Sequence, residues 1–299
     1  MNKNKSKTFA LWKIILTAIL LFIGVAVVAM LLAGNTFFGT VAVIPIEGEI
    51  SLKGQEFSSA YSALEIVEKL EEAKNNPTVT AILLEINSPG GSIVASRQIV
   101  EKILEVKKTK PVVAWIGEIG ASGAYYVASA CNKVYADSDS ITGSIGVISV
   151  IPNAKELLEK IGIKFNTIEV GKYKAMGSFY RDLNSEEKEI IRKILQKSFA
   201  RFKNDILSFR RGKIDKQRFE MIADGRIISG EEALQIGLID RIATREEAVI
   251  EAAKLAGIYG KPSVVVYRKE IPPLFNLLNI VANFQEIKSA LLEEPKLRS

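Results

Sequence analysis

The stretch TVTAILLEINSPGGS, Thr78 to Ser92, joins a nearly continuous apolar strand, Val79 to Ile86, through Pro89-Gly90-Gly91 to a helical stretch from Ile93 to about Lys107. The same order then repeats. A second strand, PVVAWIG (Pro111 to Gly117), leads through a short turn into GASGAYYVASAC, Gly120 to Cys131, where Tyr125, Tyr126, Val127 and Ala130 suit a buried helix. Ahead of both lie a strand, TVAVIPIEGEI (Thr40 to Ile50), and a segment from Phe57 to Ala73 with helical spacing in Leu64, Ile66, Val67 and Leu70. After them come KVYA, GSIGVISV, a helix from about Asn153 to Ile161, and a strand KFNTIEV ending at Gly171. Strand and helix in repeated alternation predict an α/β domain around a largely parallel sheet.

The second half reads as more helical. Asn184 with Glu187 three places on resembles a capping box, and Ile190, Ile191, Ile194, Leu195, Phe199, Phe202 and Ile206 mark one long amphipathic face. Two shorter helices are expected near Lys216 to Ala223 and Gly230 to Ile236, and another from Arg245 to about Ala256. From Ile271 the tail is apolar for its length, but it is shorter and more polar than a membrane span.

From Ile14 to Ala33 runs a charge-free apolar segment which, as a helix, would rise about 30 Å and match a bilayer core. The run exceeds the usual apolar region of a cleaved signal peptide, so an uncleaved anchor is expected. Lys3, Lys5, Lys7 and Lys13 precede it and Glu47 is the first acidic residue after it, which places the N-terminus in the cytoplasm and the rest outside. Those four lysines account for most of the formal charge of +6, so the remainder carries no footprint for nucleic acid. The expected organisation is a basic N-terminus at 1–13, a transmembrane helix at 14–33, a catalytic domain at 40–260 and a tail at 261–299.

Two strand-to-helix turns carry groups suited to chemistry. Gly90 and Gly91 free the backbone to approach a ligand, and the helix start after them directs amide donors at an oxyanion. Ser122 lies at a helix start between Ala121 and Gly123, where its hydroxyl is available as a nucleophile or, more ordinarily, as an N-cap. The chain contains no histidine and one cysteine, Cys131, so a Ser-His-Asp triad is impossible and a zinc site on nitrogen or sulfur is effectively excluded. No cofactor is implied. A lysine is the obvious replacement base, and it must be neutral: from a pKa near 10.4 this costs about 4.6 kcal/mol at pH 7, from a pKa near 8 about 1.4 kcal/mol. Lys172 and Lys174, in VGKYKAMGSFYRDL, sit among small and apolar residues, but spacing alone does not choose between them.

In that order, EINSPGGS, GASGAYYVASAC, ITGSIGV, GKYKAMGSFYRDL and ADGRIISGEEALQIGLID resemble the motifs of the signal peptide peptidase A family, of the Clp-protease and crotonase superfamily. The likeness covers roughly residues 10 to 260. It implies a superhelix of ββα units, with Ser122 as nucleophile, Lys174 as general base, Ser144 orienting that lysine, and the amides of Gly91 and Gly123 as oxyanion hole. One departure is visible: Gly177-Ser178-Phe179-Tyr180 precede Arg181-Asp182 where the family usually has a proline. The resemblance further implies a ring-like homo-oligomer, such as an octamer, in which the lysine reaches a serine of the adjacent subunit. Its substrates would be signal peptides left in the membrane, or other unfolded apolar peptides. The alternatives are a related Ser/Lys protease cleaving a stomatin-like protein, a crotonase-like acyl-CoA enzyme, and an inactive membrane scaffold.

Overall fold

The computed structural model describes residues 12, 15–28, 39–53 and 60–269. Of the expected membrane segment, residues 15–28 are helical and exposed throughout, while 14 and 29–33 lie outside the described residues, as does the apolar tail from Ile271. Among the described residues no helix is long and apolar enough to cross a membrane.

The domain begins with β1 (Thr40–Ile50), α1 (Ala63–Asn75), β2 (Val79–Gly91), α2 (Ile93–Val106), β3 (Val112–Ala121) and α3 (Gly123–Ser129). Short elements follow: β4 (Lys133–Ala136), β5 (Ile141–Gly143) and α4 (Lys155–Lys160). The remainder comprises α5 (Ser185–Phe209), α6 (Lys216–Ile222), β6 (Ile227–Ser229), α7 (Gly230–Ile236), β7 (Arg241–Ile242), α8 (Arg245–Leu255) and β8 (Ser263–Val266). Helix starts are written into the sequence as side-chain caps: Ser62 and Glu65 form a capping box on α1, Asn184 and Glu187 one on α5, and Thr244 and Glu247 one on α8.

The strands form one sheet in the order β6-β5-β3-β2-β1-β8, with β4 bridging β3 to β7. Every pairing is parallel except β5 with β6. Side chains alternate across it. Ala42, Ile44 and Ile46 of β1 and Ile82, Leu84 and Ile86 of β2 face the core built with α1, α2 and α3, while Val41, Val43, Ala81 and Leu83 pack against Ala248, Val249, Ala252 and Ala253 of α8. Burial on both faces is why β2 reads as an unbroken apolar run. Strand β8, just past the expected domain end at 260, joins the sheet through β1.

Two features of β3 and its neighbours position the site. β3 forks: Val113–Ile116 pair with β4, whereas Ile119–Ala121 pair with β5. β2 and β3 also run past their apolar stretches, to Gly91 and Ala121, so the expected strand-to-helix turns are strand ends hydrogen-bonded into the sheet.

One expected strand is absent. Residues 164–170 (KFNTIEV) carry no strand and are exposed throughout, and within GSIGVISV no strand extends past Gly143. Apolar alternation alone does not make a strand, because its main-chain groups need a neighbouring ladder, and none is present among the described residues. Instead, 147–183 forms an arm held mainly by its own contacts. Phe165 stacks on Tyr180 with ring centroids 4.6 Å apart, and Asp182 receives Asn153 Nδ2 and Lys155 Nζ at 2.8 Å each. Ile148, Val150, Ile168 and Val170 are left exposed, the last two almost completely. The long face expected on α5 is covered only toward its C-terminal end, where Ile206 is buried and Phe199 and Phe202 pack on the core, while Ile194 is exposed.

Candidate active site

Ser122 occupies the N-cap position of α3 yet makes no capping hydrogen bond with its side chain, and its backbone sits at φ 53°, ψ −122°. Ser62, Ser92 and Ser229, also at helix starts, do cap with their hydroxyls. A non-glycine residue held at positive φ is strained by about 1–3 kcal/mol, and such strain gathers at functional positions. Main-chain bonds hold it here: Ser122 N donates to Gly143 O at 2.9 Å, and Tyr126 N donates to Ser122 O at 3.0 Å.

Ser144 is the other non-glycine residue at positive φ among the described residues, at 49°, and its amide donates to Arg226 O at 2.7 Å. Because Ala121 pairs with Gly143 in the β3/β5 ladder, the two strained serines leave adjacent parallel strands side by side. That adjacency is invisible in the linear sequence.

The glycines explain how the two strand ends approach so closely. A Cβ on Gly90 would lie 2.6 Å from Gly123 N and 2.8 Å from Ala121 O. One on Gly123 would lie 2.4 Å from Ser96 Oγ and 3.4 Å from Gly91 N, so the amides at 91 and 123 border the same small space. Ser88, fully buried, accepts the amide of Gly90 on its hydroxyl at 3.1 Å and steadies the turn.

A small cavity opens here, lined by Gly91, Ser122 and Gly123 together with Ile93, Tyr126 and Phe202. Tyr126 OH donates to Asp205 Oδ2 at 2.7 Å, and burial together with this bond pushes its phenol well above the usual range. The cysteine is no rival nucleophile: burial pushes the Cys131 thiol up to about 12.

Of the expected residues, the structure brings Ser122, Ser144, Gly91 and Gly123 together. Ser122, Gly91 and Gly123 line the cavity; Lys174 does not. It is exposed on the arm, with its amide donating to Gly171 O at 3.0 Å. Lys172 lies 2.5 Å from Glu186, whose carboxylate, with the Tyr173 hydroxyl, raises the lysine pKa, the opposite of what a neutral base requires. Among the described residues Lys174 has no such ion pair. The segment after it is closed without the family's proline: Arg181 grips Glu187 through a two-point fork at 2.9 and 2.6 Å, which holds that carboxyl at about 2. Ser96, Ser198 and Asp205, which also line the cavity, carry no motif by which the sequence alone would single them out.

An unengaged serine hydroxyl at a strained strand end, two converging backbone amides and an adjacent cavity define a site for nucleophilic acyl transfer. Comparisons with known proteins give that class its family. The model for peptidase family S49 matches residues 105–259 and that for Clp protease matches 39–138. A Synechocystis protein described as a protease is 39% identical over 190 residues, covering 64% of this chain and 67% of its own. A protein of Enterococcus faecium described as a signal peptide peptidase is 32% identical over 250 residues, 83% of this chain and 71% of its own. The chloroplastic serine protease SPPA of Arabidopsis thaliana is 34% identical over 214 residues, which is 71% of this chain but only 31% of that longer protein. Among solved structures, a mutant of the 1510-N membrane-bound stomatin-specific protease shares the fold with a TM-score of 0.51 at 16% identity, over 78% of this chain and 99% of its own. The chain belongs to peptidase family S49. It is a serine peptidase of the signal peptide peptidase A-like kind.

Proposed function

We propose that this chain is a membrane-anchored endopeptidase in which Lys174 of one subunit activates Ser122 of its neighbour, and that it degrades signal peptides left in the membrane. The observation that carries the nucleophile is the Ser122 hydroxyl, which faces a cavity from a strained backbone and caps nothing. In this mechanism neutral Lys174 Nζ takes the Ser122 proton as Oγ attacks the scissile carbonyl. The amides of Gly91 and Gly123 then receive the oxyanion, an interaction worth about 2.7–4 kcal/mol per donor. The protonated lysine next passes its proton to the leaving amine, and a water activated by the same lysine hydrolyses the acyl-enzyme. Ser144, beside Ser122, orients the incoming lysine.

Supply of the lysine by a neighbour accords with three observations: Lys174 lies away from the cavity, the arm carrying it leaves Ile148, Val150, Ile168 and Val170 exposed, and Ile194 of α5 is uncovered. A ring of subunits, such as an octamer, would cover these faces. The charge-free run at 14–33, with lysines before it, serves as a single-pass anchor with the domain outside the cytoplasm. This keeps the site beside peptides that partition into lipid.

The test is complementation. Ser122→Ala and Lys174→Ala are each expected to lose peptide hydrolysis, and co-expressed subunits of the two kinds are expected to recover part of it, since one still offers a lysine and the other a serine. Recovery no greater than the sum of the separate variants would refute the shared dyad; wild-type rates in either variant would refute the dyad itself. The fold likeness to a stomatin-specific protease keeps a second substrate class in view, and competition between signal peptides and stomatin C-terminal peptides separates the two.

A further inference from the structure

Among the described residues one buried side-chain polar atom finds no hydrogen-bond partner: Ser96 Oγ. Ser96 is 1% exposed, in the second turn of α2, and it lines the cavity beside Ser122. Buried hydroxyls are ordinarily satisfied, and a serine at this helical position commonly bonds the carbonyl four residues back. Here Oγ makes no such bond and lies instead beside Gly123, where a Cβ would come within 2.4 Å of it. The other buried polar side chain on the cavity wall, Tyr126, has its hydroxyl engaged by Asp205. Ser96 therefore offers both a donor and an acceptor to whatever enters between the apolar walls of Ile93, Tyr126 and Phe202.

The group that enters is set by the chemistry next door. When Ser122 attacks a peptide carbonyl, the side chain on the acyl side of that bond is the substrate part nearest the cavity, whose wall is shared by Ser122, Gly91 and Gly123. We propose that Ser96 determines specificity at this position: its hydroxyl hydrogen-bonds the side chain of the residue whose carbonyl is attacked, favouring a hydroxyl or amide side chain over an apolar one of the same shape. This rests on Ser122 as nucleophile.

The experiment uses two fluorogenic peptides that differ only in threonine or valine on the acyl side of the scissile bond, with the full-length enzyme in detergent. The expected result is that Ser96→Ala lowers the threonine-to-valine ratio of kcat/KM roughly three- to tenfold, the span of a single hydrogen bond. The melting temperature should not fall, because the variant removes a hydroxyl that is unpaired in the free protein. An unchanged ratio overturns the proposal. So does an equal loss on both peptides with a lower melting temperature, which would assign Ser96 to packing. A Ser122→Ala control separates the two readings: if it still cleaves both peptides, the nucleophile is wrong whatever Ser96 does.

Discussion

Gly123 is held to glycine by one atom, and a double-mutant cycle isolates it. A Cβ at position 123 would meet Ser96 Oγ at 2.4 Å, but Ser96 Cβ and Gly91 N only at 3.4 Å, an ordinary contact. Gly123→Ala alone therefore drives a methyl into a buried hydroxyl, at about 1–3 kcal/mol. The helical preference of alanine over glycine, at most about 1 kcal/mol, does not offset this. Ser96→Ala removes the obstructing oxygen and nothing else. The double variant should accordingly be as stable as the wild type or slightly more so, with a favourable coupling of about 1–3 kcal/mol between the sites. Urea unfolding of the purified chain followed by tryptophan fluorescence measures all four corners. At a slope of about 2 kcal/mol per molar, Gly123→Ala should lower the midpoint by the order of 1 M and the second change should restore it. Additivity within about 0.5 kcal/mol would show that the close approach of α2 to Gly123 is not what excludes a side chain there.

Other expectations concern charge. Lys174→Ala should lower kcat about 10²–10⁴-fold, the usual worth of a general base, whereas Lys172→Ala removes an exposed ion pair with Glu186 and should leave peptide hydrolysis nearly unchanged. Burial alone would raise the Asp240 carboxyl, but the charge of Arg210 and bonds from Lys213, Arg210 and the Val134 amide outweigh it and hold it below the usual carboxylate range. Its folded pKa is thus depressed, so its contribution is complete above the unfolded carboxylate value and is lost as pH falls below it. Asp240→Asn should flatten that acid limb and, by leaving the buried Arg210 unpaired, cost about 3–5 kcal/mol at pH 7 by urea unfolding. Glu187 behaves alike: its contribution is complete above 4.5 and lost as pH falls toward about 2, so Glu187→Gln should weaken the acid dependence of melting.

What could be read from the residues was whatever depends on local chemistry. The apolar run of β2, the cap pair Asn184/Glu187, and the extents of α2 and α7 all follow from neighbours within a few positions. The stretch KFNTIEV misleads because apolar alternation there answers to no strand among the described residues, and its residues are exposed, packing only within the arm. Ser122 is a weak signal in one dimension, since serine before a helix is ordinarily a cap. Its significance needs the positive φ and the missing cap bond, both produced by the β3/β5 ladder. Ser96 was not legible at all, because a serine in a helix becomes notable only when three elements close around it without offering a partner.

The two strained serines are held by main-chain bonds, from Ser122 N to Gly143 O and from Ser144 N to Arg226 O, with no side chain involved. Replacing the Ser122 side chain therefore leaves the cradle standing: the amides at 91 and 123 and the cavity behind them keep their shape when the reactive oxygen is gone. A Ser122→Ala protein is thus a ready-made snare, able to seize its natural clients and unable to release them as fragments. Material recovered from it in intact cells would report what this peptidase meets there.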